Sequence, residues 1–310
     1  MSGAGERGVN GRAAWDGAPF RVIEPADQRL PFVFNSPHSG RRYPADFLRR
    51  SRLGHVTVRR SEDAFVEELF SGVVRLGAPL LAADFPRAYL DVNREPYELD
   101  QRMFTGPLPG HANTRSIRVA GGLGTIPRVV AEGQEIYAER LSVAEGMARI
   151  ETIYRPYHAA LGRLMARTSV RFGYAVLVDC HSMPSNTAGG SGNRPDVVVG
   201  DRYGTACAPG LTRRVMDAFA TRGYRVTRNK PYAGGFITEH YGRPARGLHA
   251  IQIEINRGLY MDEGRIEPSR RFDAVARDLT AIVEEVASAP DANLYPPGRA
   301  DEVEVDQAAE

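Results

Sequence analysis

The chain is short of several things, and each shortage narrows what it can be. It carries 2 cysteines, Cys180 and Cys207, in 310 residues, too few for a disulfide framework and in keeping with a reducing compartment. No apolar run approaches the ~18 residues that a membrane-crossing helix needs, and the opening MSGAGERGVNGRAAWDG lacks a signal-peptide hydrophobic stretch. A cytoplasmic protein without a membrane partner is therefore expected. Excess charge is missing too: the formal net charge is +2, which argues against a nucleic-acid partner. Lysine is almost absent, with Lys230 the single example, and arginine takes its place. That skew fits a GC-rich coding sequence and not an RNA-binding patch. The glycine-rich loops VAGGLGTIPR and TAGGSGNRP carry neither GxxxxGK[ST] nor GxGxxG, and GGSGN is not the GxSxG elbow. Nucleotide binding and serine-hydrolase chemistry thus lack their signatures.

What remains is a composition able to bury one sizeable core, 42% hydrophobic and 25% charged. A single catalytic domain over 18–287 is expected, between a flexible N-terminus (1–17) and a flexible tail (288–310) that contains proline and then turns acidic. Strand-like runs fall at 32–36, 79–85, 174–180, 196–201, 224–229 and 249–256. Helix-like stretches fall at 61–76, 135–172 (with Pro156 a point of breakage), 208–223 and 268–288. Strands separated by long helices predict an α/β fold, a largely parallel sheet covered on both faces, and ligands at the carboxyl ends of its strands.

The polar residues at those ends are of the kinds that carry chemistry. FVFNSPHSG runs into His38 and YAVLVDCHS into His181, while the segment after LLAADFPRAYL continues through Asp91, Asn93 and Arg94. In HAIQIEINRG the isoleucines alternate with Gln252, Glu254 and Asn256, so one strand face carries an acid that burial disfavours unless it has a partner or a cavity. Two histidines and a carboxylate form the ligand set of a catalytic zinc, one per chain, although other divalent ions suit the same donors. RSEDAFVEELF offers Glu62 and Asp63 for the acid, with Ser61 a candidate helix N-cap. Glu254 is placed to act as general base in amide hydrolysis. Cys180, next to His181, points to the opposite strand face and reads as core filling, with Asp179 as an orienting partner and Ser182 opening a loop over the site.

The motifs NSPHSG, SEDAFVEELF, PRAYLDVNREPYELD, GLGTIPRV, DCHSMPS, DVVVGDRYGTAC, GGFITEHYG and IQIEINRGLYMDE, in order over roughly 20–285, resemble the N-formylglutamate amidohydrolase family. The resemblance implies a three-layer α/β/α sandwich around a mixed, mainly parallel sheet, akin to the zinc carboxypeptidases and aspartoacylases. It also implies hydrolysis of N-formyl-L-glutamate to formate and glutamate in histidine degradation. Carried over by motif, His38 and His181 correspond to metal ligands, Asp63 to the acidic ligand in preference to Glu62, and Glu254 to the general base. Arg94, with Asn93, corresponds to a pair that holds a substrate carboxylate or polarises its carbonyl. Arg87 is a second candidate for that contact. Two departures stand out: no HxxE turn follows His38, and Ala64 stands where a tryptophan commonly follows the acid, which points to a different acyl substrate.

Arginine suits the two carboxylates of such a small-molecule substrate through its bidentate fork. The loops VAGGLGTIPR, TAGGSGNRP and YAGGFITEHYG read as covers over the site, and His240 in the last is a candidate substrate contact or a loop residue held by hydrogen bonds. His158 reads as a structural residue of an amphipathic helix. The chain is expected to act as a monomer or small homo-oligomer. Alternatives to formylglutamate hydrolysis are deacylation of another N-acyl amino acid or short peptide, or a non-catalytic binding module on the same fold.

Overall fold

The β-branched and aromatic runs become the strands of one seven-stranded sheet. In chain order these are β1 (Phe20–Ile23), β2 (Phe32–Ser36), β3 (Leu80–Ala83), β4 (Ala175–Met183), β5 (Val197–Gly200), β6 (Val226–Arg228) and β7 (Leu248–Asn256). The computed structural model describes residues 15–130, 133–187, 194–289 and 291–296. Across the sheet the order is β1-β3-β2-β4-β7-β5-β6. β1 runs antiparallel to β3, and β5 antiparallel to β7; every other neighbouring pair is parallel. The sheet is thus mixed and mainly parallel, as expected, with the long strands β4 and β7 at its centre. Strand β1 escaped the sequence reading because FRVI is short and its strand mate lies some sixty residues away.

Period-2 alternation distributes the side chains to two cores. Phe32, Phe34, Val176, Val178, Cys180, Ile251, Ile253 and Ile255 pack on one face beneath α3 (Pro209–Ala220) and α5 (Phe272–Ser288). Val33, Ala175, Leu177 and Ala250 pack on the other beneath α2 (Arg155–Phe172), which contributes Tyr157, Leu161 and Leu164. This is the three-layer arrangement expected from the alternation of strands and helices. Each fully buried side chain of the Phe or Leu class contributes roughly 1.5–3 kcal/mol by leaving water.

On the α2 face the strands change character along their length. Near their amino ends they present Val33, Ala175, Leu177 and Ala250, whereas toward their carboxyl ends the same parity gives Asn35, Asp179, His181, Gln252 and Glu254, all buried. Register sets Glu254 opposite His181 and Gln252 opposite Asp179 on the β4–β7 pair, and Asn35 opposite Asp179 on the β2–β4 pair. The polar patch is thus written into the alternation of three neighbouring strands.

Two expected helices are corrected. The stretch 61–76 is not one helix: it is two single turns, Val66–Leu69 and Val73–Leu76, preceded by a turn in which Phe65 takes φ +66°. Ser61 therefore caps no helix; its hydroxyl donates to Val58 O at 3.4 Å. The stretch 135–172 begins its helix at α1 (Val143–Arg149), capped by Ser142. It passes through a π-turn, Ile150–Tyr154, into α2 without breaking. Pro156 has no N–H to return to the carbonyl four residues back, and the widened turn sits where that bond would have been. Strand β4 also outruns its expected end, so Ser182 belongs to the strand and not to a loop. Beyond α5, Leu294 is buried and its carbonyl lies 2.9 Å from His249 Nε2, so residues 291–296 pack on the body; the rest of the expected flexible tail, and most of the expected flexible N-terminus, lie outside the described residues.

Candidate metal centre and active site

The site begins at the turn after β2, where SPHSG carries His38 over the sheet edge. Gly40 permits this, since a Cβ there would come within 2.1 Å of the Phe85 carbonyl oxygen. The turn is tied to the next acidic segment by Asp63 N donating to His38 O at 3.0 Å. The broken helix at 61–76 is what frees Asp63 to face inward. His181 arrives from the carboxyl end of β4.

These three side chains, all buried, bring a ligand atom each to within 4.8 Å of one another. His181 Nδ1 is 3.0 Å and His38 Nδ1 3.4 Å from the same oxygen, Asp63 Oδ2. The far side of each ring meets another buried acid: His38 Nε2 lies 2.7 Å from Asp91 Oδ1, and His181 Nε2 lies 2.9 Å from Asp179 Oδ2. An imidazole that gives Nε2–H to a carboxylate, as His38 does to Asp91, leaves Nδ1 as a free lone pair, which is the tautomer a metal requires. The acids are themselves held. Asp179 Oδ1 accepts from Asn35 Nδ2 at 2.7 Å, and Asn35 Oδ1 accepts from Tyr157 Oη at 2.5 Å. Asp63 Oδ1 accepts from Arg257 Nη2 at 3.0 Å and from the Ser182 hydroxyl at 3.3 Å.

Two features of the protein alone call for a cation among these atoms. His38 Nδ1 is buried with no hydrogen-bond partner, a costly vacancy for a ring nitrogen unless something binds it. The electrostatics agree. Burial opposes charge on Asp63, yet the hydrogen bond to His181 and the His38 ring close by hold its carboxyl well below the ordinary range. Burial likewise opposes charge on His181, yet Asp179 and Asp63 hold it well above the ordinary histidine range. The surroundings thus stabilise positive charge beside Asp63. The nitrogen–oxygen donor set and burial fit a divalent ion such as zinc.

Glu254 stands across the strand pair from His181. Burial, with Asp63 adding to it, pushes its carboxyl up to about 7. The two neighbouring acids point in different directions: Glu62 turns away to accept from Arg59 and from Tyr43 Oη at 2.7 Å, while Asp63 faces the histidines. Cys180 is on the opposite face in the apolar core, with its thiol pushed well up by burial, and is no nucleophile.

All of this opens into one cavity of about 700 Å³ that His38, Asp63, His181, Glu254 and Gln252 share with six arginines. These are Arg60, Arg87, Arg94, Arg118, Arg202 and Arg257, against three carboxylates in the same lining, Asp63, Asp91 and Glu254. Arg94, the stronger candidate from sequence, spends Nε on Leu123 O and Nη1 on Asn93 O, both at 2.8 Å. Arg87 has a single hydrogen bond among the described residues, Nη2 to Asp91 Oδ2 at 2.9 Å, leaving donors for a ligand. Asn93 is fixed by Ile237 N donating to its Oδ1 at 2.8 Å.

His240 is not brought to the site. It is on the exposed face of α4 (Phe236–Tyr241), stacked on Phe236, and does not line the cavity, so the expected substrate contact is withdrawn. Ala64 lies in the core and does not line this cavity. Of the three glycine-rich loops, 119–128 and 231–235 contribute lining residues, and residues 188–193 of TAGGSGNRP lie outside the described residues. Arg257 and Asp91 act as supports, a role the sequence reading did not give them. Their signal was position alone, next to a strand end and next to Asn93.

A mixed sheet between two helical layers, with a buried His–Asp–His cluster and an acid at the carboxyl ends of its central strands, defines the class: a three-layer amide hydrolase. Comparison with known proteins narrows it. Residues 30–261 match the model of the N-formylglutamate amidohydrolase family. The chain is similar to an N-formylglutamate deformylase of Pseudomonas putida, 31% identical over 87% of this chain and 95% of the relative. A Pseudomonas aeruginosa protein of the same name is 32% identical over 76% of this chain and 84% of its own. The crystal structure of an N-formylglutamate amidohydrolase from Ralstonia eutropha superposes with a TM-score of 0.82 at 40% identity, covering 87% of this chain and 97% of that one. The chain belongs to the N-formylglutamate amidohydrolase family and is an amidohydrolase.

Proposed function

We propose that this enzyme hydrolyses N-formyl-L-glutamate to formate and L-glutamate, a step of histidine degradation, with zinc held by His38, Asp63 and His181. The observation that carries the reading is the coincidence in one cavity of that ligand set with six arginines against three carboxylates. A substrate with two carboxylates is what such a lining attracts. The printed names of the Pseudomonas relatives support the same acyl group and amino acid. When bound, zinc would supply Lewis-acid polarisation of the formyl carbonyl and make a neighbouring water more acidic.

The protein's own groups do the rest. Glu254, with a carboxyl near pH 7, accepts a proton at neutral pH and can return it to the leaving nitrogen. Arg87 takes a substrate carboxylate on its free N–H donors, while Arg94 and Asn93 hold the wall behind it. Burial keeps bulk water from Glu254 and the histidines, which strengthens each of these interactions.

The test is glutamate release from N-formyl-L-glutamate by zinc-replete enzyme, with a chelated sample in parallel. Release that chelation abolishes and zinc restores is expected. Glu254→Gln should keep its zinc and lose roughly 10²- to 10⁴-fold in kcat. A wild-type sample holding one zinc yet releasing no glutamate would overturn the substrate assignment and favour another N-acyl amino acid. Full turnover by Glu254→Gln would remove that residue from the mechanism.

A further inference from the structure

The carboxylate of Glu254 is not free to choose its own orientation. Gln252 Nε2 donates to Glu254 Oε1 at 2.9 Å, and Gln252 Oε1 accepts the backbone N–H of Gly235, also at 2.9 Å. The second bond decides the first. An amide whose oxygen is taken by an N–H must present its NH2 on the other side, and here that side is the acid. Gln252 is 4% exposed, so neither bond has water as a ready substitute.

The loop that supplies Gly235 is itself fixed. Ile237 N donates to Asn93 Oδ1 at 2.8 Å, and a Cβ on Gly235 would come within 2.4 Å of the Asn93 amide. The loop therefore presses on Asn93 at a distance only glycine allows, which sets the height of the Gly235 N–H over the sheet. With Oε1 engaged, Glu254 Oε2 has no hydrogen bond among the described residues and is the oxygen left for the cavity.

We propose that Gln252 is a positioning residue: it holds Glu254 in the proton-accepting geometry and takes its own orientation from the Gly235 backbone. The proposal rests on the reading of Glu254 as general base. Because Gln252 acts through Glu254, its loss lowers kcat and leaves substrate affinity and metal content alone.

The experiment measures kcat, KM, zinc content and thermal midpoint for zinc-loaded wild type, Gln252→Met, Gln252→Leu, Glu254→Gln and the double variant Gln252→Leu/Glu254→Gln. N-formyl-L-glutamate is the substrate, or whichever N-acyl amino acid the wild type turns over. Gln252→Met keeps the side chain's length and a weak sulfur acceptor toward Gly235 but offers no N–H to Glu254, so it isolates the donor without adding charge. Both single variants at Gln252 are expected to lose roughly 10- to 100-fold in kcat, the worth of a hydrogen bond to a charged group, with KM within about twofold and zinc retained. In the Glu254→Gln background, Gln252→Leu is expected to cost less than about twofold further. Wild-type kcat in Gln252→Met, or an equal loss in both backgrounds, would overturn the proposal while Glu254 stands. Full turnover by Glu254→Gln would instead overturn the base assignment, and the proposal with it. Should Gln252→Leu fold poorly, Gln252→Met alone decides.

Discussion

Asp91 is a residue whose importance lies in what it does for its neighbours. It is buried, accepts from Arg87, and stands 2.7 Å from His38 Nε2. Burial opposes its charge, but Arg94, His38 and Arg87 hold its carboxyl well below the ordinary range, so it is an anion throughout the working pH range. An anion there keeps a proton on Nε2 of His38 and leaves Nδ1 for the metal. Asp91→Asn retains the shape but removes the charge, and its amide can present an NH2 to the ring. Zinc affinity, measured by competition with a coloured chelator, is expected to fall roughly 10- to 100-fold. Unchanged affinity would mean that His38 is oriented by the turn alone. The meeting of His38, Asp63 and His181 was legible from their chemistry and from strand parity, which separated His181 from Cys180. Their supports were not, because Asp91 and Arg257 meet the ligands only through contacts between segments some 50 and 190 residues apart.

At the scale of elements, the decisive unit is the pair of turns that carry His38 and Asp63. They are joined by Asp63 N to His38 O, and the first rests directly on the backbone after β3 because residue 40 is glycine. Gly40→Ala would drive a methyl group into the Phe85 carbonyl, and backbone cannot swing aside as a side chain does. The turn must lift, at a cost of about 1–3 kcal/mol in stability, with zinc affinity falling as His38 leaves Asp63. Urea unfolding with and without zinc measures both, and an unchanged midpoint would show that the turn has room to spare. The same segment explains where sequence reading failed. SEDAFVEELFSGVVRL has the apolar spacing of a helix, but Phe65 is buried by adopting φ +66°, a conformation that tertiary packing imposes against local preference. Apart from β1, the strands of the main sheet were, by contrast, legible to within about three residues at each end, since period-2 alternation and the two buried faces specify register together. Pro156 misled for a related reason: a π-turn absorbs it, and nothing local announces one.

The whole molecule is held across its layers by a histidine with no part in the chemistry. His158, on α2, gives Nε2–H to Val92 O at 2.9 Å, and its Nδ1 lies 3.1 Å from Tyr241 Oη on α4, so one ring joins a helix of the outer layer to the segment after β3 and to the loop region over the site. Burial lowers its pKa to about 4, with His240 adding to the effect and Val92 and Asp179 opposing it. The ring is therefore neutral in the fold and charges only at a cost. In the unfolded chain it takes up its proton near pH 6.5. Protonation thus favours the unfolded state: the contribution is fully present above about pH 6.5 and is lost as the pH falls toward 4, where roughly 2–3 kcal/mol has gone. His158→Gln has no such proton to take up. It is expected to be less stable than wild type at pH 7 and to lose less stability than wild type between pH 7 and pH 4.5, by denaturant unfolding of zinc-free protein so that metal loss does not enter. Parallel losses in the two proteins would mean that His158 contributes packing and not pH sensitivity, and would leave the acid lability to the buried carboxylates, whose depressed pKa values act in the same direction at lower pH.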